Sequence, residues 1–286
     1  MHKTNFEQNY VKTIGELAVQ SLKLEAGTTP KPGLVDREGN GAHKDMDYPM
    51  FLASSEALRG CFEDCAAAGM QGAKAEDYRR IGLAGEQSMY QVTNHVNTHK
   101  GLIFSMGIFC GVLGELVRDQ EVFTEEDVQC RTKELACSLL QWDPVENTHG
   151  RQVQKNTGTG GIRGEALSGF ASVFRIGLPA LRKAMAEGED LEYAMIRTLL
   201  TLMCETEDSN VVYRGGLEGL TFVKQEAKAI LEEMAMPMGD ADLSRVREFD
   251  TKCIEKNISP GGSADLLALT TMLYLFFEEN RKEEWI

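Results

Sequence analysis

The 286-residue chain has no CxxC pair and an odd number of cysteines, seven. That pattern argues against a zinc ribbon or a disulfide framework and favours reduced thiols. Cys61 and Cys65 stand one helical turn apart without a histidine pair nearby, so core packing is expected of them rather than zinc. Basic charge is also scarce: 30 Lys and Arg face 44 Asp and Glu, a formal net charge of −14. An acidic surface disfavours nonspecific attraction to nucleic acid or anionic lipid, so a phosphate ligand must be met by local groups. No hydrophobic run is long enough for a membrane span. The most apolar window, LIFSMGIFCGVLGELV at 102–117, falls short of the ~20 residues a bilayer needs and contains Glu115. It reads as a central core helix whose Gly107 and Gly111 let a second helix approach. The first residues, MHKTNFEQNYVKT, lack the apolar core and cleavage site of a signal or transit peptide. A cytoplasmic location is expected, with neither nucleic acid nor membrane as partner.

Period-two alternation, internal repeats and low-complexity linkers are missing too, and what remains is helical periodicity. From Val11, apolar residues recur at Ile14, Leu17, Ala18, Leu22 and Leu24, and this helix ends before TTPKPG. Asp47 with Pro49 starts a second helix, burying Phe51, Leu58, Phe62 and Cys65 and stopping at Gly69. Thr124 followed by EED marks another start. Further helical windows cover about 75–92, 163–186, 190–206, 217–235, 241–256 and 263–281. The predicted fold is all-α: a single multi-helix bundle with glycine-rich functional loops, residues 1–286 forming one domain.

Glycine makes up about 10% of the chain against a usual ~7%. Because glycine is costly inside helices, its concentration in loops is informative. The loops are GLVDREGNG at 33–41, HGRQVQKNTGTGGIRG at 149–164, RGG at 214–216 and SPGGSAD at 259–265. A glycine-rich loop leading into a helix can aim backbone N–H groups at an anion or simply cap the helix. Neither GTGGIRGEA nor SPGGSAD is a P-loop, since no GK[ST] follows. Side chains of both signs accompany them. Asp36, His43, Lys44, Asp45 and Asp47 fall within 35–47, Asp208, Asn210 and Arg214 within 208–216, and Arg163 and Glu165 beside the second loop. Carboxylates suit Mg²⁺ and planar guanidinium groups suit phosphate. For Asp47 the N-cap reading is preferred.

At 94–101 the chain reads NHVNTHKG, with His95 and His99 four residues apart. A zinc motif would need HExxH, and Val96 follows His95. The stretch instead resembles a polar helix entry in which Asn97 or Thr98 caps free N–H groups, His99 and Lys100 project toward a ligand, and His95 packs.

In order, TTPKPGLVDREGNGAHKDMD, NTHKG, GIRGEA, DSNVVYRGG and SPGGSADLLALT closely resemble the triphosphoribosyl-dephospho-CoA synthase family over nearly the whole chain. The resemblance implies an all-helical enzyme that moves the triphosphoribosyl group of ATP onto dephospho-CoA and releases adenine. It also implies a prosthetic-group precursor for the acyl carrier subunit of citrate lyase or malonate decarboxylase, attached later by a separate transferase. The chain is expected to be too short for fusion to that attaching domain, and a homo-oligomer is compatible with the resemblance. Breaking the C–N bond builds oxocarbenium-like charge on the ribose, which a carboxylate can stabilise while other groups move protons. On this basis Asp36, Asp45 and Asp208 are assigned to Mg²⁺ or charge stabilisation, with Asp36 and Asp208 also counted as catalytic. His43 or His99 is assigned to proton transfer. Lys31, Lys100, Arg163 and Arg214 would hold phosphates, together with Asn210, Ser263 and the glycines Gly160, Gly161, Gly261 and Gly262.

Two other readings compete. A Mg²⁺-dependent N-glycosidase or ADP-ribose-type hydrolase would use water as acceptor and release adenine without dephospho-CoA. A non-catalytic helical scaffold for an acidic or acyl-carrier partner gives no reason for histidine, arginine and aspartate to gather beside glycine loops.

Overall fold

The computed structural model describes residues 2–119, 122–141 and 160–282, and every regular element among them is helical. In chain order these are α1 (His2–Gly27), α2 (Tyr48–Ala57), α3 (Arg59–Gln71), α4 (Ala75–Val92), α5 (Lys100–Asp119), α6 (Glu125–Gln141) and α7 (Gly161–Leu167). A π-helical turn at Val173–Gly177 leads into α8 (Leu178–Ala186), followed by α9 (Leu191–Glu205), α10 (Ser209–Glu233), α11 (Asp240–Glu255) and α12 (Gly261–Lys282).

Two helices organise the packing. The apolar window forms α5, which packs against α1, α3, α4 and α6. It crosses α3 through a glycine contact: a Cβ on Gly69 would overlap the Gly111 carbonyl, and one on Gly114 the carbonyl of Ala66. With 20 residues α5 passes a membrane test by length and composition, yet it is the core helix the sequence suggested, since residues from Leu102 to Leu116 are mostly buried. The second organiser, α12, packs on α1, α8, α9 and the π-helical turn, and its Leu267, Leu269, Met272 and Leu273 are fully buried. One hydrophobic cluster links both helices from Ile14 to Phe277, and Cys61 and Cys65 lie inside it as free thiols.

Local signals explain most boundaries. Asp47 caps α2 by accepting from Met50 N at 2.9 Å, and Thr124 exchanges hydrogen bonds with Asp127 at the start of α6. Three predicted helices need correction. The helix expected from Asp47 to Gly69 is split at Leu58, and its stop moves to Gly72, which takes the left-handed conformation with φ +65°. The helix expected over 163–186 is interrupted where Gly169 and Phe170 adopt φ +71° and +53°. The helix expected from 217 begins at Ser209, so DSNVVYRGG is a helical start rather than a loop; a kink at Gly216, φ +66°, divides the two parts.

His95 is also corrected. It is exposed, with φ +65°, in the turn between α4 and α5, and stacks on Tyr90 instead of packing in the core. His95 and His99 therefore share no helix face.

Candidate active site

A cleft of about 860 Å³ opens where the first turns of α5, α7, α10 and α12 meet the loop after α1. That volume is toward the upper end of the ~300–1,000 Å³ of ligand sites, large enough for a nucleotide. Helix N-termini carry unsatisfied N–H groups and partial positive charge, so their convergence favours an anion in an otherwise acidic chain.

Asp208 holds two of these termini together. Its Oδ1 accepts from Asn210 N at 2.9 Å and Val211 N at 3.3 Å, capping α10. Its Oδ2 accepts from Ser263 N at 2.8 Å and Ser263 Oγ at 3.1 Å, capping α12. Glycine at 262 leaves room for this approach, since a Cβ there would stand in tight contact with the carboxylate at 3.1 Å. Burial raises the Asp208 pKa, opposed by the hydrogen bonds from Ser263, Val211 and Asn210. Gly161 brings the next motif alongside: it has φ +52°, and a Cβ there would come within 2.8 Å of Ser209 Oγ. Residues 149–159 of the same glycine-rich stretch lie outside the described residues.

Arg214, one turn into α10, reaches back to the loop. It donates to Ala42 O at 3.0 Å, Asn257 Oδ1 at 3.3 Å and His43 Nδ1 at 3.3 Å. A guanidinium only donates, so Nδ1 of His43 is the acceptor and its proton sits on Nε2, which donates to Ser259 Oγ at 2.8 Å. Both ring nitrogens are thus engaged. Burial first, then the charge of Arg214, lowers the His43 pKa, with Asp45 opposing. His43 is a neutral linker between the loop, α10 and the entry to α12.

Asn97 caps α5 by accepting from Lys100 N at 3.0 Å. His99 is buried, 3% exposed, and bonded through Nδ1 to Ser54 Oγ at 2.7 Å, while Nε2 has no partner. Burial, then the charge of Lys31, pushes its pKa down to about 3, so it is neutral. Lys31 is itself buried and donates to Glu25 Oε1 at 2.5 Å, and Lys100 pairs with Glu86 at 3.0 Å.

The expected site residues divide accordingly. Lys31, His43, Asp45, His99, Lys100, Gly161, Arg163, Asp208, Asn210, Arg214, Gly261 and Gly262 all line the cleft, whereas Asp36, Gly160 and Ser263 do not. Asp36 is buried, with Oδ2 accepting from Lys31 N at 3.0 Å and Oδ1 from Glu38 N and Gly39 N at 2.7 and 2.9 Å. Its carboxylate shapes the loop. Asp36 and Asp208 therefore do not fit the metal role given them, since backbone N–H groups occupy their oxygens. Asp45 is exposed, 3.9 Å from His43, and does fit. Among the described residues no three His, Cys, Asp or Glu side chains form a metal cage. Mg²⁺ needs only one or two carboxylates when phosphates supply the rest.

Sequence reasoning missed Glu25, Ser259 and Asp265. Asp265 ends the SPGGSAD motif and lines the cleft. Burial, then the negative charges of Glu25 and Asp208, raises its pKa well above the usual carboxylate range.

Fold and cleft define a class: an all-helical protein that gathers helix N-termini and cationic side chains around one anion-compatible pocket. The chain belongs to the family of ATP:dephospho-CoA triphosphoribosyl transferases, which it matches over residues 11–284. It is 42% identical over 272 residues to a probable 2-(5''-triphosphoribosyl)-3'-dephosphocoenzyme-A synthase of Pectobacterium carotovorum subsp. carotovorum, covering 91% of this chain and 88% of that protein. It is 41% identical over 272 residues to the 2-(5''-triphosphoribosyl)-3'-dephosphocoenzyme-A synthase of Pectobacterium atrosepticum, covering 91% and 88%. A probable synthase of the same name from Vibrio cholerae is 39% identical over 276 residues, covering 92% and 88%. No solved structure matches the chain. These relatives give no support to the hydrolase alternative.

Proposed function

We propose that this protein transfers the triphosphoribosyl group of ATP to a hydroxyl of dephospho-CoA, releasing adenine, and that residues 1–286 act as one domain. The observation that carries the reading is that motifs far apart in sequence meet in one cleft: Arg214 with His43, His43 with Ser259, Asp208 with Ser263. The triphosphate is the handle, not the leaving group. Arg214 donates only to neutral acceptors among the described residues and keeps its full charge for phosphate. Gly261 and Gly262 line the cleft with first-turn N–H groups that Asp208 does not take. Lys100 and Arg163 line the same space. Binding energy on the phosphates fixes the ribose so that the acceptor hydroxyl meets its anomeric carbon.

Asp45 is the carboxylate that would hold Mg²⁺ brought with the triphosphate; when bound, the ion would offset phosphate charge. His43 orients Arg214 rather than moving protons, because neither ring nitrogen is open. On the same reading the product passes to a prosthetic-group transferase serving an acyl carrier subunit. The test is free adenine measured after incubation with ATP, Mg²⁺ and dephospho-CoA. Release that requires dephospho-CoA supports transfer, and release at the same rate without it overturns the reading.

A further inference from the structure

The cleft holds several carboxylates, and all but one on its floor are occupied. Asp208 accepts four hydrogen bonds, Glu25 is paired with Lys31 and Glu86 with Lys100. Glu165 accepts from Ser172 N and Oγ. Asp45 and Glu207 also line the cleft but are exposed, Asp45 beside His43 at the mouth. Asp265 differs from all of these. It projects from the second turn of α12 into the cleft, and among the described residues it has neither a hydrogen-bond nor an ion-pair partner. The opposite wall leaves room for it: a Cβ on Gly101, in the first turn of α5, would stand 3.0 Å from Asp265 Oδ2.

Resting on the transfer reading above, the geometry points to Asp265 as the catalytic acid that protonates the departing adenine. The C1'–N9 bond of ATP (this carbon is C1'' of the product) breaks with its electron pair going to the purine, and the Asp265 carboxyl gives its proton to the purine ring. The oxygen of the dephospho-CoA hydroxyl forms the new bond to C1'', and the proton it loses restores the carboxyl. Atoms and charge balance without a further reactant. The neighbourhood supports this role: burial with Glu25 and Asp208 close by favours the protonated carboxyl. Neither histidine is a rival acid. His43 is held in its neutral tautomer by Arg214, and His99 is neutral beside Lys31.

The test is Asp265→Asn in the full chain, assayed with ATP and with an N7-methylated ATP analogue, whose cationic base leaves without needing a proton. A general acid contributes roughly 10²–10⁴-fold, so kcat with ATP should fall at least about 100-fold while both KM values change little. With the methylated donor the variant should stay within about fivefold of the wild type, since no proton is then needed. Asp265→Asn with undiminished turnover of ATP overturns the inference, and so does an equal loss on both donors. Should the variant not fold, the wild type decides. A solvent deuterium isotope effect on adenine release from ATP that disappears with the methylated donor supports the role, and an equal effect on both donors refutes it. A wild type that releases no adenine at all overturns the transfer reading itself, which separates the two failures.

Discussion

Acidification from pH 7 to pH 5 should cost the protein about 2 kcal/mol of stability through His99 alone. In the unfolded chain a histidine titrates near ~6.5, whereas in the fold burial and the charge of Lys31 push His99 down to about 3. The unfolded state takes up the proton first. The contribution is therefore fully present above about 6.5 and is lost as the pH falls toward the folded value. At pH 5 the unfolded imidazole is about 1.5 pH units past its midpoint, and at ~1.36 kcal/mol per unit the loss is ~2 kcal/mol. That figure requires only that the folded pKa lie well below 5. The perturbation is His99→Asn, whose amide can keep the hydrogen bond to Ser54. Urea unfolding of both proteins at pH 7 and pH 5 gives the change in stability for each. Cavity effects and the titration of other groups are common to both pH values or both proteins and drop out of the double difference. The wild type should lose about 2 kcal/mol more than the variant. Equal losses would refute a buried, neutral His99.

Other substitutions read other parts of the structure. Asp208→Ala removes the cap of α10 and of α12 and strands buried N–H groups; a loss of about 3 kcal/mol is expected in denaturant unfolding, together with loss of adenine release. Gly114→Ala forces a Cβ into the Ala66 carbonyl, and its melting temperature should fall by the equivalent of at least ~1–3 kcal/mol. Arg214→Lys loses the planar fork that reaches Ala42, Asn257 and His43. Its kcat/KM for ATP should drop by roughly tenfold or more while the far-UV spectrum is unchanged.

Periodicity and caps made much of the fold legible. The window 75–92 is α4 to the residue, and the windows at 190–206 and 241–256 lie within one residue of α9 and α11 at each end. The start of α10 was hidden for a physical reason: SNVVYRGG has too few apolar residues in period, and its cap, Asp208, is shared with a helix some fifty residues away. The spacing of His95 and His99 suggested one helical face, but positive φ at Asn94 and His95 turns the chain between two helices. Within the site, residue type was readable and role was not. Asp36, Asp208 and Asp265 are the same side chain. Backbone N–H groups occupy the first two, and only tertiary structure leaves the third open to the cleft. Asp265 directly precedes the apolar run LLAL, where by sequence it is an ordinary helix position.

The most direct test of the central claim is the mass of the product made from ATP and dephospho-CoA. The expected species has the combined mass of both substrates less adenine, with all three phosphates of ATP retained. A product that has shed phosphate or pyrophosphate, or recovery of free triphosphoribose with dephospho-CoA unchanged, would contradict a cleft that grips the triphosphate and exchanges the base.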